Sequence, residues 1–136
     1  MNGLTFAELA KTNGARVKRW HGVRWRVDER DPTFAHLGAI ELDHWTGADW
    51  SNAMQGEAGE AGNVVKKLRR IEGGLPGNRK PGDDDRELLI SKLGAELADT
   101  IIYADLLASY YGLDLGAAIV TKFNAISEEL GLPERL

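Results

Sequence analysis

Two acidic pairs, Glu57-x-x-Glu60 and Glu96-x-x-Asp99, each fall inside a stripe of apolar residues at helical spacing. At about 100° per residue, Glu57 shares a helix face with Trp50, Ala53, Ala61, Val64, Leu68 and Ile71, and Glu60 follows a turn later. Glu96 lies among Leu89, Leu93, Thr100, Tyr103 and Leu107, with Asp99 further along the same side. Both pairs are therefore expected to point inward. Acidic side chains are rarely buried unless paired or bound to a metal, because desolvating an isolated carboxylate costs many kcal/mol. The competing reading is a displaced register that leaves the acids as solvated surface charges. Two pairs on two apolar stripes weigh against it, since charges avoid core positions. Converging carboxylates call for a cation, and oxygen donors suit Mg²⁺, with Mn²⁺ as a substitute, rather than zinc. Such an ion completes its shell with water and substrate phosphates, which points to phosphoryl chemistry.

The elements that must carry these acids follow from local signals. Thr5 with Glu8 makes a capping box that opens a first helix reaching about Trp20, although Gly14 interrupts it. Residues 21–45 read as an irregular insertion: Val23 to Val27 alternates apolar and charged residues like a short ribbon, Asp31-Pro32 marks a turn, and Phe34 to Leu42 carries a weak helical signal. Thr46, with Asp49 after it, caps a long helix over about 46–72 that stops at Gly73-Gly74. Residues 73–85 (GGLPGNRKPGDDD) have the composition of an exposed, mobile loop. Asp84 with Glu87 opens a helix over about 86–111, stopped by Gly112, and Asp114 caps a last helix to about Leu130, closed by Gly131-Leu-Pro133. The expected fold is one all-α domain over 1–136, a four-helix-type bundle with an irregular N-terminal insertion. Ile101 and Ile102 lie outside the main stripe of their helix, so a second face is expected to meet another subunit.

Basic residues concentrate at the end of the first acidic helix (Lys66, Lys67, Arg69, Arg70) and in the loop (Arg79, Lys80). Helix C-termini favour cations, so a solvated basic end competes with phosphate capture. Lys67 faces nearest the acids. Lys122 sits on a stripe with Leu115, Ala118, Ile119 and Ile126, where a cation would meet the acids or a substrate phosphate, or else cover apolar surface with its stem. Trp50 is on the inward stripe, as suits a core residue.

The stretch DWSNAMQGEAGEAGNVVKKL over 49–68, ELAD over 96–99 and Lys122-Phe-Asn124 in the last helix together resemble the MazG-like branch of the all-α nucleoside triphosphate pyrophosphohydrolases. Their signature is E-x-x-E, a spacer, then E-x-x-D. The resemblance spans residues 46–133, with a spacer of 35 residues whose excess lies in the Gly/Pro-rich loop. It implies that Glu57, Glu60, Glu96 and Asp99 bind Mg²⁺, that a metal-activated water attacks the α-phosphorus, and that a (d)NTP or modified nucleotide is split into monophosphate and pyrophosphate. It also implies base contacts at the start of the acidic helix, from Trp50, Asn52 and Gln55, and a substrate contact from Asn124. A homodimer or homotetramer is expected.

Composition narrows the alternatives. The 136 residues, 43% of them hydrophobic, suffice for one cored domain. A net charge of −4 gives no footprint for stable nucleic-acid binding. The absence of cysteine excludes thiolate metal sites and disulfides, no stretch approaches the roughly 20 apolar residues of a membrane span, and the first residues lack a secretory pattern, so a cytoplasmic setting is expected. Glu41-x-x-His44 matches half of a di-iron pattern whose second copy is missing; His21 and His36 add no ligand spacing. The alternative to an enzyme is a non-catalytic helical nucleotide-binding or regulatory protein on the same fold.

Overall fold

The computed structural model describes residues 3–20, 45–75 and 80–136. The ribbon and turn expected within 21–44, and with them Trp25 and the three histidines, lie outside the described residues. The described residues form four helices and no strand: α1 (Phe6–Trp20), α2 (Gly47–Glu72), α3 (Arg86–Tyr110) and α4 (Leu115–Glu129). None of these helices is long and apolar enough to cross a membrane.

Local chemistry sets the helix ends. In α1, the Glu8 amide donates to Thr5 Oγ1 at 3.2 Å while the Thr5 amide and hydroxyl donate to Glu8 Oε2 at 3.0 and 2.8 Å, a complete capping box. In α4, the Ala117 amide donates to Asp114 Oδ1 at 2.9 Å. The start of α3 corrects the expected cap by one residue: Asp85, not Asp84, accepts the Leu88 amide at 3.0 Å. The residues before it close a turn, with the Asp83 amide donating to the Lys80 carbonyl and the Asp85 amide to that of Gly82. Three helices end alike. Gly74, Gly112 and Gly131 all have positive φ, and the next amide reaches back five residues, from Leu75 to Arg70, Leu113 to Ala108 and Leu132 to Ser127. This is the Schellman arrangement, in which glycine enters the left-handed region without a Cβ clash.

The chain divides into two compact units. One comprises Asp49–Ala104, the body of α2 and most of α3. Its core is Val64 and Leu68 of α2 with Leu89 of α3, flanked by Ile71 and Leu93. Near the other end of the pair, Trp50 packs on Tyr103 with ring centroids 6.3 Å apart. Early α2 meets late α3 and late α2 meets early α3, so the two helices form an antiparallel hairpin. That register brings Glu57 and Glu60 opposite Glu96.

The other unit comprises Met1–Ala48 and Asp105–Leu136. Here α1 packs on α4 where Gly116 leaves room, since a Cβ there would come within 2.9 Å of Phe6 Cβ. Ser127 is the buried residue of α4, while Lys122, Ala118 and Ile126 are exposed. The covered face is therefore turned about a quarter of a turn from the expected stripe, because small Gly116 and Ser127 admit a neighbour that the bulkier stripe does not. The inward position expected for Lys122 is corrected accordingly.

Leu89 is fully buried. Leu89→Ala is expected to cost about 2–5 kcal/mol, read as a lower midpoint in urea unfolding with an unchanged slope.

Candidate metal centre

Two helices supply the acids. Glu57 and Glu60 project from α2, Glu96 from α3, and each offers a carboxylate oxygen lying within 4.8 Å of the others. Glu57 and Glu96 are half-buried, whereas Glu60 and Asp99 are exposed. The expectation that both pairs point inward is thus corrected: the first acid of each pair turns in and the second lies at the rim. The spacing explains this, since three residues along a helix is about 300° and displaces the second acid from the centre of the apolar stripe.

Desolvation raises the Glu57 pKa above the ordinary glutamate value, and the negative charges of Asp99, Glu60 and Glu96 raise it further, as does hydrogen bonding to Glu96. Asp99 stands outside the close triad yet contributes the largest of these charge effects. Glu57 is therefore the acid on which the others converge. Its ionised form is disfavoured in the folded chain, and a divalent cation would reverse that preference. Carboxylates alone, gathered at this spacing, are the donor set of a hard cation.

The residues expected to hold substrate are more dispersed. Trp50 is 6% exposed and packs on Tyr103, so it serves the core of the hairpin. Asn52 is exposed at the start of α2, and Gln55 nearby donates from its amide to the Ser51 carbonyl and hydroxyl. Lys67 does not face the acids as expected. Its Nζ lies 2.9 Å from Asp83 Oδ1, pinning the residues before α3 onto α2. In the other unit, Asn124 bonds the backbone of Leu136 in both directions, accepting its amide at 2.9 Å and donating to its carbonyl at 3.3 Å. Lys122 is exposed there.

Two buried acids escaped the sequence reading. Asp83 is 4% exposed, and Lys67 beside it holds its carboxyl below the usual carboxylate range. Nothing in the run Asp83-Asp84-Asp85 distinguishes the docked member from its neighbours. Asp105 is 2% exposed and accepts from Asn13 Nδ2 at 2.9 Å, while Arg16 donates to Asn13 Oδ1 at 3.1 Å. A signal existed for this one: Asp105 is a lone charge in the apolar run from Ile101 to Leu107.

No known protein family, curated protein or solved structure matches this chain.

The raised Glu57 pKa carries a sign. The folded chain keeps that proton to higher pH than the unfolded chain, so its favourable contribution is full below 4.5 and is lost as pH rises through the folded value. Glu57→Gln, which cannot ionise, is expected to raise the melting temperature of metal-free protein at about pH 8 and to give no gain at about pH 4. Thermal unfolding in EDTA at both pH values checks this.

Proposed function

We propose that the chain is a Mg²⁺-dependent nucleoside triphosphate pyrophosphohydrolase of the MazG-like kind, acting on (d)NTPs or a modified nucleotide as a house-cleaning enzyme. The observation that carries this reading is the convergence of Glu57, Glu60 and Glu96 within 4.8 Å across the α2–α3 hairpin. Glu57, Glu60, Glu96 and Asp99 would hold the ion, and Mn²⁺ could replace it. When bound, the metal supplies charge neutralisation for the phosphates and a lowered pKa for the attacking water.

The chain's own residues have distinct parts in this scheme. Glu57 and Glu96, half-buried, exclude water from one side of the site, while Glu60 and Asp99 at the rim remain open to a ligand. One of these four acids, or an acid near them, would orient the attacking water and take its proton. Water oxygen bonds to the α-phosphorus, the bond from that phosphorus to the bridging oxygen breaks, and pyrophosphate leaves with the bond's electron pair. Asn52, exposed on α2 before the acids, is assigned to the base.

The proposal extends to assembly. Ile90, Leu97 and Ile101 of α3 are 45%, 52% and 43% exposed, spaced so that they line one side of the helix. We assign this side to a second copy of the chain in a cytoplasmic homodimer or homotetramer. Stable nucleic-acid binding plays no part.

The test is release of pyrophosphate from a panel of canonical and modified (d)NTPs with and without Mg²⁺. Metal-dependent release is expected from at least one nucleotide, reduced about 100-fold or more in Glu57→Gln and Glu96→Gln, the order expected on losing a preorganised electrostatic contact. A folded protein that releases no pyrophosphate from any nucleotide would contradict the assignment and favour a non-catalytic nucleotide-binding protein.

A further inference from the structure

The last turns of α2 and the chain leaving it border an open, shallow cleft of about 560 Å³, lined among the described residues by Lys66, Arg69, Arg70, Glu72, Gly73 and Leu75. Its size lies within the range of about 300–1,000 Å³ usual for small-molecule sites. Among the described residues, its lining carries three cations and one carboxylate, in a chain whose net charge is −4.

Cations at a helix C-terminus ordinarily answer the partial negative charge of its last carbonyls. Here the backbone already serves that end. The carbonyls of Arg69, Arg70 and Ile71 accept the amides of Gly73, Leu75 and Gly74 at 3.0, 2.9 and 3.0 Å. The same bonds turn the chain back, so that Leu75, 61% exposed, stands as an apolar wall beside the charges. The acidic cluster does not engage Lys66 or Arg69 either. Lys66 lies about 180° around α2 from Glu57, and Arg69 about 180° from Glu60 and about 14 Å further along the axis. Asp83 is engaged by Lys67, which is not part of the cleft wall.

We propose that this cleft is a binding site for a small oligophosphate anion, separate from the acidic cluster and independent of it. Lys66 and Arg69, both exposed, are the principal contacts. Arginine and lysine on neighbouring turns can grip adjacent phosphate groups, as a single cation cannot. Glu72 sets a limit on the ligand, since it repels an anion that fills the whole cleft and accepts a hydrogen bond from one that carries a donor at that end.

The experiment is calorimetric titration of the full chain with inorganic pyrophosphate in EDTA, where no divalent ion can bridge phosphate to the carboxylates. Saturable binding is expected, weakened about 10-fold or more in Lys66→Glu with Arg69→Glu, since reversing both charges replaces attraction of the anion by repulsion. Both positions are exposed, so the doubly substituted chain should fold, which circular dichroism verifies. Glu57→Gln should bind like the unmodified protein. Absence of saturable binding to the folded chain, unchanged affinity in the charge-reversed variant, or loss confined to Glu57→Gln would each overturn the proposal. None of these outcomes depends on whether the acidic cluster hydrolyses nucleotides.

Discussion

Glu57, Glu60 and Glu96 are held together by helices that would be more stable with them apart. Two ionised carboxylates at 4.8 Å repel by about 1 kcal/mol at the dielectric of water and about 3 kcal/mol at the effective value near a protein surface. Burying a large apolar side chain such as Leu68 or Leu89 contributes about 1.5–3 kcal/mol. The apolar contacts at one end of the hairpin and the Trp50–Tyr103 packing towards the other are therefore enough to fix the register against the repulsion. Burial first, and then the charges of Asp99, Glu60 and Glu96, raise the Glu57 pKa. A neutral side chain there would avoid the repulsion, so the perturbed acid makes this cluster the candidate site of the described residues.

The chain treats its other buried acids differently. Asp83 has Lys67 at 2.9 Å, and Asp105 has the Asn13 amide at 2.9 Å with Arg16 bonded behind it. Each of those carboxylates meets a donor, as the cost of desolvation favours, although at Asp83 the donor reaches Oδ1 while the buried Oδ2 has no hydrogen-bond partner among the described residues. Around Glu57 the neighbours that shift its titration are three further carboxyl groups. Among the described residues, none of the groups that shift the Glu57 titration is a cation.

Features governed by local rules were legible in the sequence. The Thr5–Glu8 box, the Asp114 cap and the glycine stops after α2, α3 and α4 depend on residues a few positions apart, and the structure carries them out nearly as read. The approach of Glu57 and Glu60 to Glu96 was also legible, because the phase of each motif against its apolar stripe is a property of its own helix, whereas Asp99 stands outside that triad. What failed depended on which neighbour a helix meets. Lys122 sits on a good apolar stripe, yet α4 turns another face inward because Gly116 and Ser127 allow close approach. Lys67 points to Asp83 rather than to the acids, a pairing that joins distant parts of the chain and leaves no mark in spacing. The capping error at Asp84 has the same root, since docking of Asp83 sets the turn that makes Asp85 the cap.

The claim at the centre of this account is that the α2–α3 carboxylates are built for a divalent cation, and Mn²⁺ titration followed by electron paramagnetic resonance tests it without assuming a substrate. Saturable binding to the unmodified chain, weakened about 10-fold or more by Glu57→Gln and by Glu96→Gln on loss of a charge-assisted contact, is the predicted result. Binding that is absent, or that persists unchanged in both variants, would contradict it.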